Sequence, residues 1–250
     1  MKQIFLGLLV ATALAAGMVS PASAKTPPEV LTPYKAYRAA LQNDDYATAI
    51  IHAEAAYTAA LEHKSDAAAL IAPLAQNFAD LLDDPKRRVE LYRAAIEATP
   101  TDTPENIEMG AERWVLLAQA QMLRDQSKRR TFNQARKDID AGWKFIQWAG
   151  LEDTTFGGEI MVAKGWAAAG NGKEDKALEW YDRADTVFSG PNHTYFSVLE
   201  YSNKLLRGKT LLAYDRDIEA ALSLQEVMQN SEGQLPAEHP YIQDAFQSWV

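Results

Sequence analysis

The stretch "AKGWAAAGNGKEDKALEWYDRA" (Ala163–Ala184) places a glycine-containing turn between two patterns of small and apolar residues. Before the turn, Gly165 and Ala168 are three positions apart and therefore share one face of a helix. After the turn comes a stripe at spacings of four and three, typical of an amphipathic helix. Its members are Ala177, Tyr181 and Ala184. The stretch predicts a helical hairpin whose small residues let two helices approach closely.

The turn Gly170–Lys173 also contains the Gly-Lys pair of a phosphate-binding loop, but the surrounding residues do not match that motif. A phosphate-binding loop has a glycine five residues before the pair and a Ser or Thr after the lysine. Here Ala167 occupies the first position and Glu174 follows the lysine, where its negative charge would repel a phosphate. We interpret the turn as a bend in which Lys173 is dispensable and Gly172 adopts a positive φ, a conformation that Asn171 could also adopt.

The first 24 residues have the features of a secretory signal peptide. A short positive start is followed by the apolar run Ile4–Ala16 and by the small residues Ala22-Ser23-Ala24. The run is shorter than the roughly 20 residues that span a bilayer, which argues against an uncleaved anchor. We therefore predict cleavage after Ala24, a mature domain of residues 25–250, and a periplasmic location.

The composition narrows the classes of function. The chain contains no cysteine, so disulfides, zinc-thiolate sites and thiol catalysis are excluded, in keeping with a bacterial periplasm. Its formal net charge is −9 and becomes more negative when Lys2 is removed with the signal peptide. An acidic exported protein is a poor candidate for binding nucleic acid. No later apolar run is long enough to predict a membrane span in the mature chain.

The stripe of Ala177 recurs along the chain, with its leading residues 39 to 47 positions apart. The other copies are Ala49/Ala53/Ala56, Arg88/Tyr92/Ala95, Ala135/Ile139/Gly142 and Ala220/Leu224/Val227. A helical segment precedes each copy, with a close-contact residue at Tyr37, Gln76, Ala118, Gly165 and Gly208. Repetition at a fixed period is the sequence signature of a repeat architecture.

This pattern resembles the tetratricopeptide repeat from Val30 to about Gln229. The repeats are longer than the basic 34 residues, and two segments place Pro and then His before a new helix. They are "FSGPNHTYFSVLEY" (Phe188–Tyr201) and "GQLPAEHPYIQDAF" (Gly233–Phe246), which look like the linkers of the kinesin light chain variant. Arg88, Gln76 and Tyr37 depart from the family pattern, which has small residues at these sites.

The resemblance implies an all-α fold, an α-solenoid of about five helical hairpins with a C-terminal capping helix from about Tyr241 to Trp249. That last repeat has one helix, so the sequence leaves open whether the natural protein continues beyond Val250. Two prolines fall within helical patterns. Pro85 is expected to begin a helix capped by Asp83 or Asp84. Pro73 predicts a kink or a late helix start.

The sequence offers no catalytic or metal-binding constellation. None of the four histidines has another histidine three or four positions away, and there is no serine nucleophile motif. His193 and His239 follow proline in equivalent linkers, where a turn or capping role is favoured. The acidic groups at 43–45, 81–84 and 172–175 fall at hairpin bends and are interpreted as helix caps. The basic run Asp125–Lys137 is interpreted as solvated, with a docking patch for an acidic partner as the alternative.

A stack of hairpins has an extended concave surface, and the resemblance implies that the first helix of each hairpin lines it. The residues predicted to bind a partner there are Tyr34, Arg38, Asn77, Asp80, Gln119, Trp166 and Lys209, with Val115, Val162 and Leu205 beside them. Trp166 has two interpretations that the sequence does not separate. It is either a binding anchor or a side chain that fills the gap to a neighbouring hairpin.

The predicted function is that of a non-enzymatic periplasmic scaffold without cofactor or metal, which binds a protein or peptide partner. The alternative is a helical accessory part of a larger cell-envelope machine, such as a TonB-like energy transducer or a secretion assembly. An enzyme assembled from turn carboxylates is disfavoured because nucleophile, metal cluster and cofactor motif are all missing. No recognisable motif identifies the partner, the pathway or the oligomeric state.

Overall fold

A computed structural model of the chain describes residues 26–124, 129–190, 197–230 and 239–249. In these ranges every regular element is an α-helix, and no strand occurs. The helices are α1 Pro28–Gln42, α2 Tyr46–Glu62, α3 Lys64–Asp80, α4 Pro85–Glu97, α5 Pro104–Leu123, α6 Arg129–Ala149, α7 Thr155–Ala169, α8 Glu174–Phe188, α9 Ser197–Ala213, α10 Asp217–Asn230 and α11 Pro240–Trp249.

The helices fall into two compact units, which are described separately. The larger unit, within residues 25–193, contains four helical hairpins in which each helix packs on the next, from α1 to α8. The smaller unit, from residue 194, contains the hairpin α9/α10, with α11 packed on both of its helices. The predicted all-α fold class of five hairpins and a final helix is confirmed. The predicted signal peptide and residues 191–196 and 233–238 of the two Pro-His linkers, which include His193, lie outside the described residues.

The predicted stripes form the core. Tyr181 is only 1 % exposed, and a Cβ added to Gly165 would lie 2.5 Å from Tyr181 Cε1. A Cβ added to Gly208 would lie 2.8 Å from Leu224 Cγ, so the same close approach recurs in the smaller unit. The other stripe residues are buried apart from Arg88, which is partly exposed. Small residues on one helix therefore admit the large side chain of the next, as the pattern predicts.

Carboxylates cap the following helix at two of the three acidic bends, as expected, whereas the N-cap residue of α8 is Lys173, which makes no side-chain cap hydrogen bond. Asp45 Oδ1 accepts a hydrogen bond from the Thr48 amide at 3.1 Å, and Asp84 Oδ1 accepts one from the Lys86 amide at 2.9 Å. Pro85 begins α4 behind this second cap, which confirms its predicted place.

The late helix start predicted at Pro73 is wrong, because α3 begins at Lys64 and continues through the proline. Proline has no N–H to donate to the preceding turn, a loss that usually breaks a helix. Here the neighbouring side chains Ile71 and Leu74 are buried. Their burial favours a continuous helix over the local preference of proline.

The turn between α7 and α8 is a bend closed by backbone hydrogen bonds. The Lys173 amide donates to the Ala168 carbonyl at 3.0 Å, and the Gly172 amide donates to the Ala169 carbonyl at 2.9 Å. Gly172 has the expected positive φ, +71°, and its α-carbon faces open space. Among the described helices, none has the length and apolar character that a membrane crossing requires.

Candidate functional site

The first helices of the four hairpins in the larger unit, α1, α3, α5 and α7, form a surface that we call the first-helix face. Helix α5 packs directly on α7 although α6 lies between them in the sequence. The second helices α6 and α8 meet instead through the large rings of Trp143 and Trp180, whose centroids are 5.2 Å apart. Side chains on the first-helix face can therefore reach from one hairpin to the next.

A polar network joins α3 to α5 on this face. Gln76 Nε2 donates to Glu112 Oε1 at 3.2 Å, and Arg113 Nε donates to Gln76 Oε1 at 2.9 Å. Arg113 is only 3 % exposed and also donates to Thr99 Oγ1 at 2.7 Å. Gln76, which departs from the small residue of the repeat pattern, is thus used to connect two hairpins.

An equivalent bridge joins α5 to α7. Gln119 Nε2 donates to Glu159 Oε1 at 2.9 Å. Burial raises the pKa of Glu159 to about 7, because loss of hydration disfavours the charged form. The hydrogen bond from Gln119 opposes this pKa shift, and the negative charge of Glu112 adds to it.

Asp80 lies at the end of α3 and accepts a 2.6 Å hydrogen bond from the Tyr92 hydroxyl. Arg88 donates to the same hydroxyl at 3.2 Å. Water reaches Asp80, but protein atoms crowd around its carboxyl, and this desolvation raises its pKa to about 6. The Tyr92 hydrogen bond and the Arg88 charge lower this pKa, while the Glu112 charge raises it.

The predicted residues of α1 and α3 extend the face. Arg38 donates to the Tyr34 hydroxyl at 3.3 Å, and the rings of Tyr34 and Tyr37 have centroids 6.0 Å apart. Asn77 lies three residues before Asp80 on the same side of α3. Within the described part of the chain, the amide of Asn77 makes no side-chain hydrogen bond, so it is available to a bound partner.

Trp166 is partly buried against Phe132 of α6, with the ring centroids 5.6 Å apart. This contact fills space between the third and fourth hairpins, as one of the two interpretations expects. The exposed part of the ring also leaves area for a partner.

Lys209 is the one predicted site residue outside the larger unit. It lies on α9 of the smaller unit and bonds both carboxylate oxygens of Asp244 on α11 at 2.8 Å. This bridge has the same form as those of Gln76 and Gln119: a donor on the first helix of a hairpin bonds a carboxylate on the helix that begins the next repeat. In this structure Lys209 links its hairpin to α11.

Sequence reasoning missed the two glutamates Glu112 and Glu159. They are 47 positions apart, as are Val115 and Val162 of the predicted surface stripe. These two valines, like Leu205, are buried and do not line the surface as predicted. Extending that stripe by one turn toward the helix start would have found both, because they lie three residues before the valines.

A cleft of about 390 Å³ lies between α4, α5 and α6. Arg93 and Asp138 line it and bond each other at 2.5 Å, and Gln134 donates to Asp138 at 3.0 Å. Over the described ranges, no three His, Asp or Glu residues are grouped as metal ligands.

Comparisons with known proteins inform the fold. No protein-family model matches the chain, and no curated protein matches its sequence significantly. Among solved structures, the chain is similar to BtubC (BKLC) from P. vanneervenii, at 14 % sequence identity and a TM-score of 0.57. The match covers 88 % of this chain and 80 % of that one. At this identity the likeness shows the fold alone, which is that of a helical-repeat protein.

Proposed function

We propose that the protein is a non-enzymatic periplasmic scaffold that binds a protein or peptide partner on the first-helix face. One observation carries the proposal: side chains from three successive hairpins converge there through the bridges Gln76–Glu112 and Gln119–Glu159. These bridges hold the polar groups of separate repeats in a fixed register. A surface that is ordered before binding loses less conformational entropy when a partner docks. The helical-repeat fold supports the proposal, since stacked hairpins present extended binding surfaces.

A photo-crosslinking amino acid at Asn77 tests this proposal in cells. Asn77 is partly buried on the first-helix face, so a crosslinker there should capture the partner with little effect on the fold. The matched control carries the same amino acid at Trp148, which is 61 % exposed on the second helix α6. We expect a discrete crosslinked species from position 77 that position 148 does not give. A partner captured only from position 148 would place binding on another surface.

The alternative, an accessory part of a larger envelope machine, is favoured by a separate feature of the smaller unit. Phe246 and Trp249 of α11 are 53 % and 50 % exposed, and they lie three positions apart on one side of the helix. Large exposed aromatic residues are typical anchors of protein interfaces. Replacing both by Ser should release the chain from such an assembly in sedimentation of envelope extracts. If the unaltered chain sediments with an assembly and the double Ser variant sediments in the same way, these two residues are not the docking site.

A further inference from the structure

Two carboxylates on the first-helix face lack a cationic partner. Glu112 and Glu159 are both partly buried, and each accepts its hydrogen bond from a neutral amide, of Gln76 and Gln119 respectively. In the described ranges neither forms an ion pair with lysine or arginine. Buried charges in proteins are normally paired, because desolvation without compensation is costly.

Other partly buried carboxylates of this chain do have cations. Asp138 pairs with Arg93 at 2.5 Å. In the smaller unit, Glu200 pairs with Lys204 at 2.8 Å. The absence of an ion pair at Glu112 and Glu159 is therefore not general to the partly buried carboxylates of the protein.

The cation nearest to these glutamates along α5 is already engaged. Arg113 is buried and directs its guanidinium to Gln76 and Thr99. The main charge acting on Glu159 from a neighbouring helix is the like charge of Glu112, which, after desolvation, contributes to its raised pKa. Arg113 and Glu112 attract each other electrostatically without forming an ion pair. In the described ranges, therefore, no cation bonds directly to either carboxylate.

We propose that the first-helix face docks a segment of a partner polypeptide that carries lysine or arginine side chains, with Glu112 and Glu159 as their ion-pair partners. This inference rests on the proposed function and specifies the chemistry of the partner. A cationic group bonded to each carboxylate would replace the missing charge compensation with a charge-assisted hydrogen bond.

The placement of the carboxylates indicates a chain-like ligand. Glu112 and Glu159 stand on separate hairpins, on α5 and α7 respectively. Asp80 continues the acidic surface on α3. Carboxylates distributed one to a hairpin match an extended segment with cations at intervals.

The probe for the test is a labelled, unstructured peptide of alternating lysine and serine, and its glutamate-serine counterpart is the anionic control. Fluorescence polarisation at low ionic strength should show binding of the lysine peptide to the full chain and none of the glutamate peptide. Glu112→Gln with Glu159→Gln should weaken binding of the lysine peptide by about tenfold or more, because hydrogen bonds to charged groups are stronger than those between neutral groups.

The control pair Glu54→Gln with Glu62→Gln removes the same charge from exposed positions of α2. It should change binding by less than about twofold, because exposed charges are largely screened. Equal weakening by both pairs would show attraction to net charge alone and would overturn the proposal. No weakening by the Glu112/Glu159 pair would overturn it as well.

A pH series adds a readout that a purely structural role of Glu159 would not give. Since its pKa is raised to about 7, the carboxylate is mostly protonated at about pH 6 and mostly ionised at about pH 8. The lysine peptide should bind more tightly at the higher pH. The step should be smaller in Glu159→Gln, where Asp80, whose pKa is raised to about 6, still titrates on the same face.

The two proposals fail in different ways. A natural partner crosslinked at Asn77 whose capture is unchanged by Glu112→Gln with Glu159→Gln would refute the cationic chemistry and leave the scaffold function standing. Absence of any crosslink at Asn77 would count against the docking face itself.

Discussion

Replacement of Gly165 by Ala is the sharpest test of how the hairpins are packed. In an ordinary helix interior this change stabilises by about 0.5–1 kcal/mol, because alanine loses less backbone entropy than glycine. Here the new methyl would lie 2.5 Å from Tyr181 Cε1 and 2.7 Å from Cδ1, closer than carbon atoms can approach. The Tyr181 ring is buried and cannot swing into solvent.

Overpacking of this kind costs about 1–3 kcal/mol, so the clash outweighs the gain in helix propensity. We expect a net loss of about 1 kcal/mol in the free energy of unfolding for Gly165→Ala. Gly165→Leu, with three more carbons in the same space, should lose more. Urea unfolding followed by far-ultraviolet circular dichroism measures both variants.

A double-mutant cycle with Tyr181→Leu isolates the contact. The smaller side chain removes the ring that the methyl would meet, so Gly165→Ala should become neutral or stabilising in that background. If Gly165→Ala lowers the free energy of unfolding equally in the unchanged chain and in Tyr181→Leu, the packing argument is refuted. So would stabilisation by Gly165→Ala in the otherwise unchanged chain.

Lys173→Ala should change the free energy of unfolding by less than about 0.5 kcal/mol. ATP should not shift the melting temperature of either protein. A rise in melting temperature with ATP that is lost in Lys173→Ala would instead indicate a phosphate-binding loop. Burial raises the pKa of Glu159 from 4.5 to about 7. The contribution of this carboxyl to the free energy of unfolding is therefore fully present below about pH 4.5 and is lost as the pH rises through about 7. Glu159→Gln should therefore flatten the melting temperature between about pH 5 and pH 8, whereas the exposed Glu108→Gln should not. Arg113→Met removes the donor to two partly buried acceptors, on Gln76 and Thr99, and should cost about 2 kcal/mol in urea unfolding. The exposed Arg87→Met should cost less than about 1 kcal/mol, and equal costs would contradict the role of the network.

The sequence by itself determined the hairpins and their core. Small-aromatic-small stripes such as Ala177, Tyr181 and Ala184 depend on the 3.6-residue period of a helix, which is a local property. The bend at Gly172 and the cap at Asp84 are local as well, because a positive φ and a side-chain cap involve only neighbouring residues. The candidate surface came from the resemblance to the tetratricopeptide repeat and stays a prediction.

Local rules were insufficient where a tertiary contact outweighed them. Pro73 sits within α3 because burial of the residues around it favours a continuous helix over the intrinsic preference of proline. The partners of Gln76 and Gln119 are 36 and 40 positions away, on the next first helix. No propensity or spacing within one helix specifies such a pair.

Only the tertiary structure decided which charges on the first-helix face are compensated. From the sequence, Glu112 and Arg113 are adjacent opposite charges on one helix. In the fold, Arg113 turns into the core while Glu112 stays on the surface beside Gln76. Consecutive residues of a helix point about 100° apart, so which one is buried depends on where the neighbouring hairpin packs. The packing of the hairpins thus decides that Arg113 bonds Gln76 and Thr99, and that no lysine or arginine of the described residues forms an ion pair with Glu112 or Glu159.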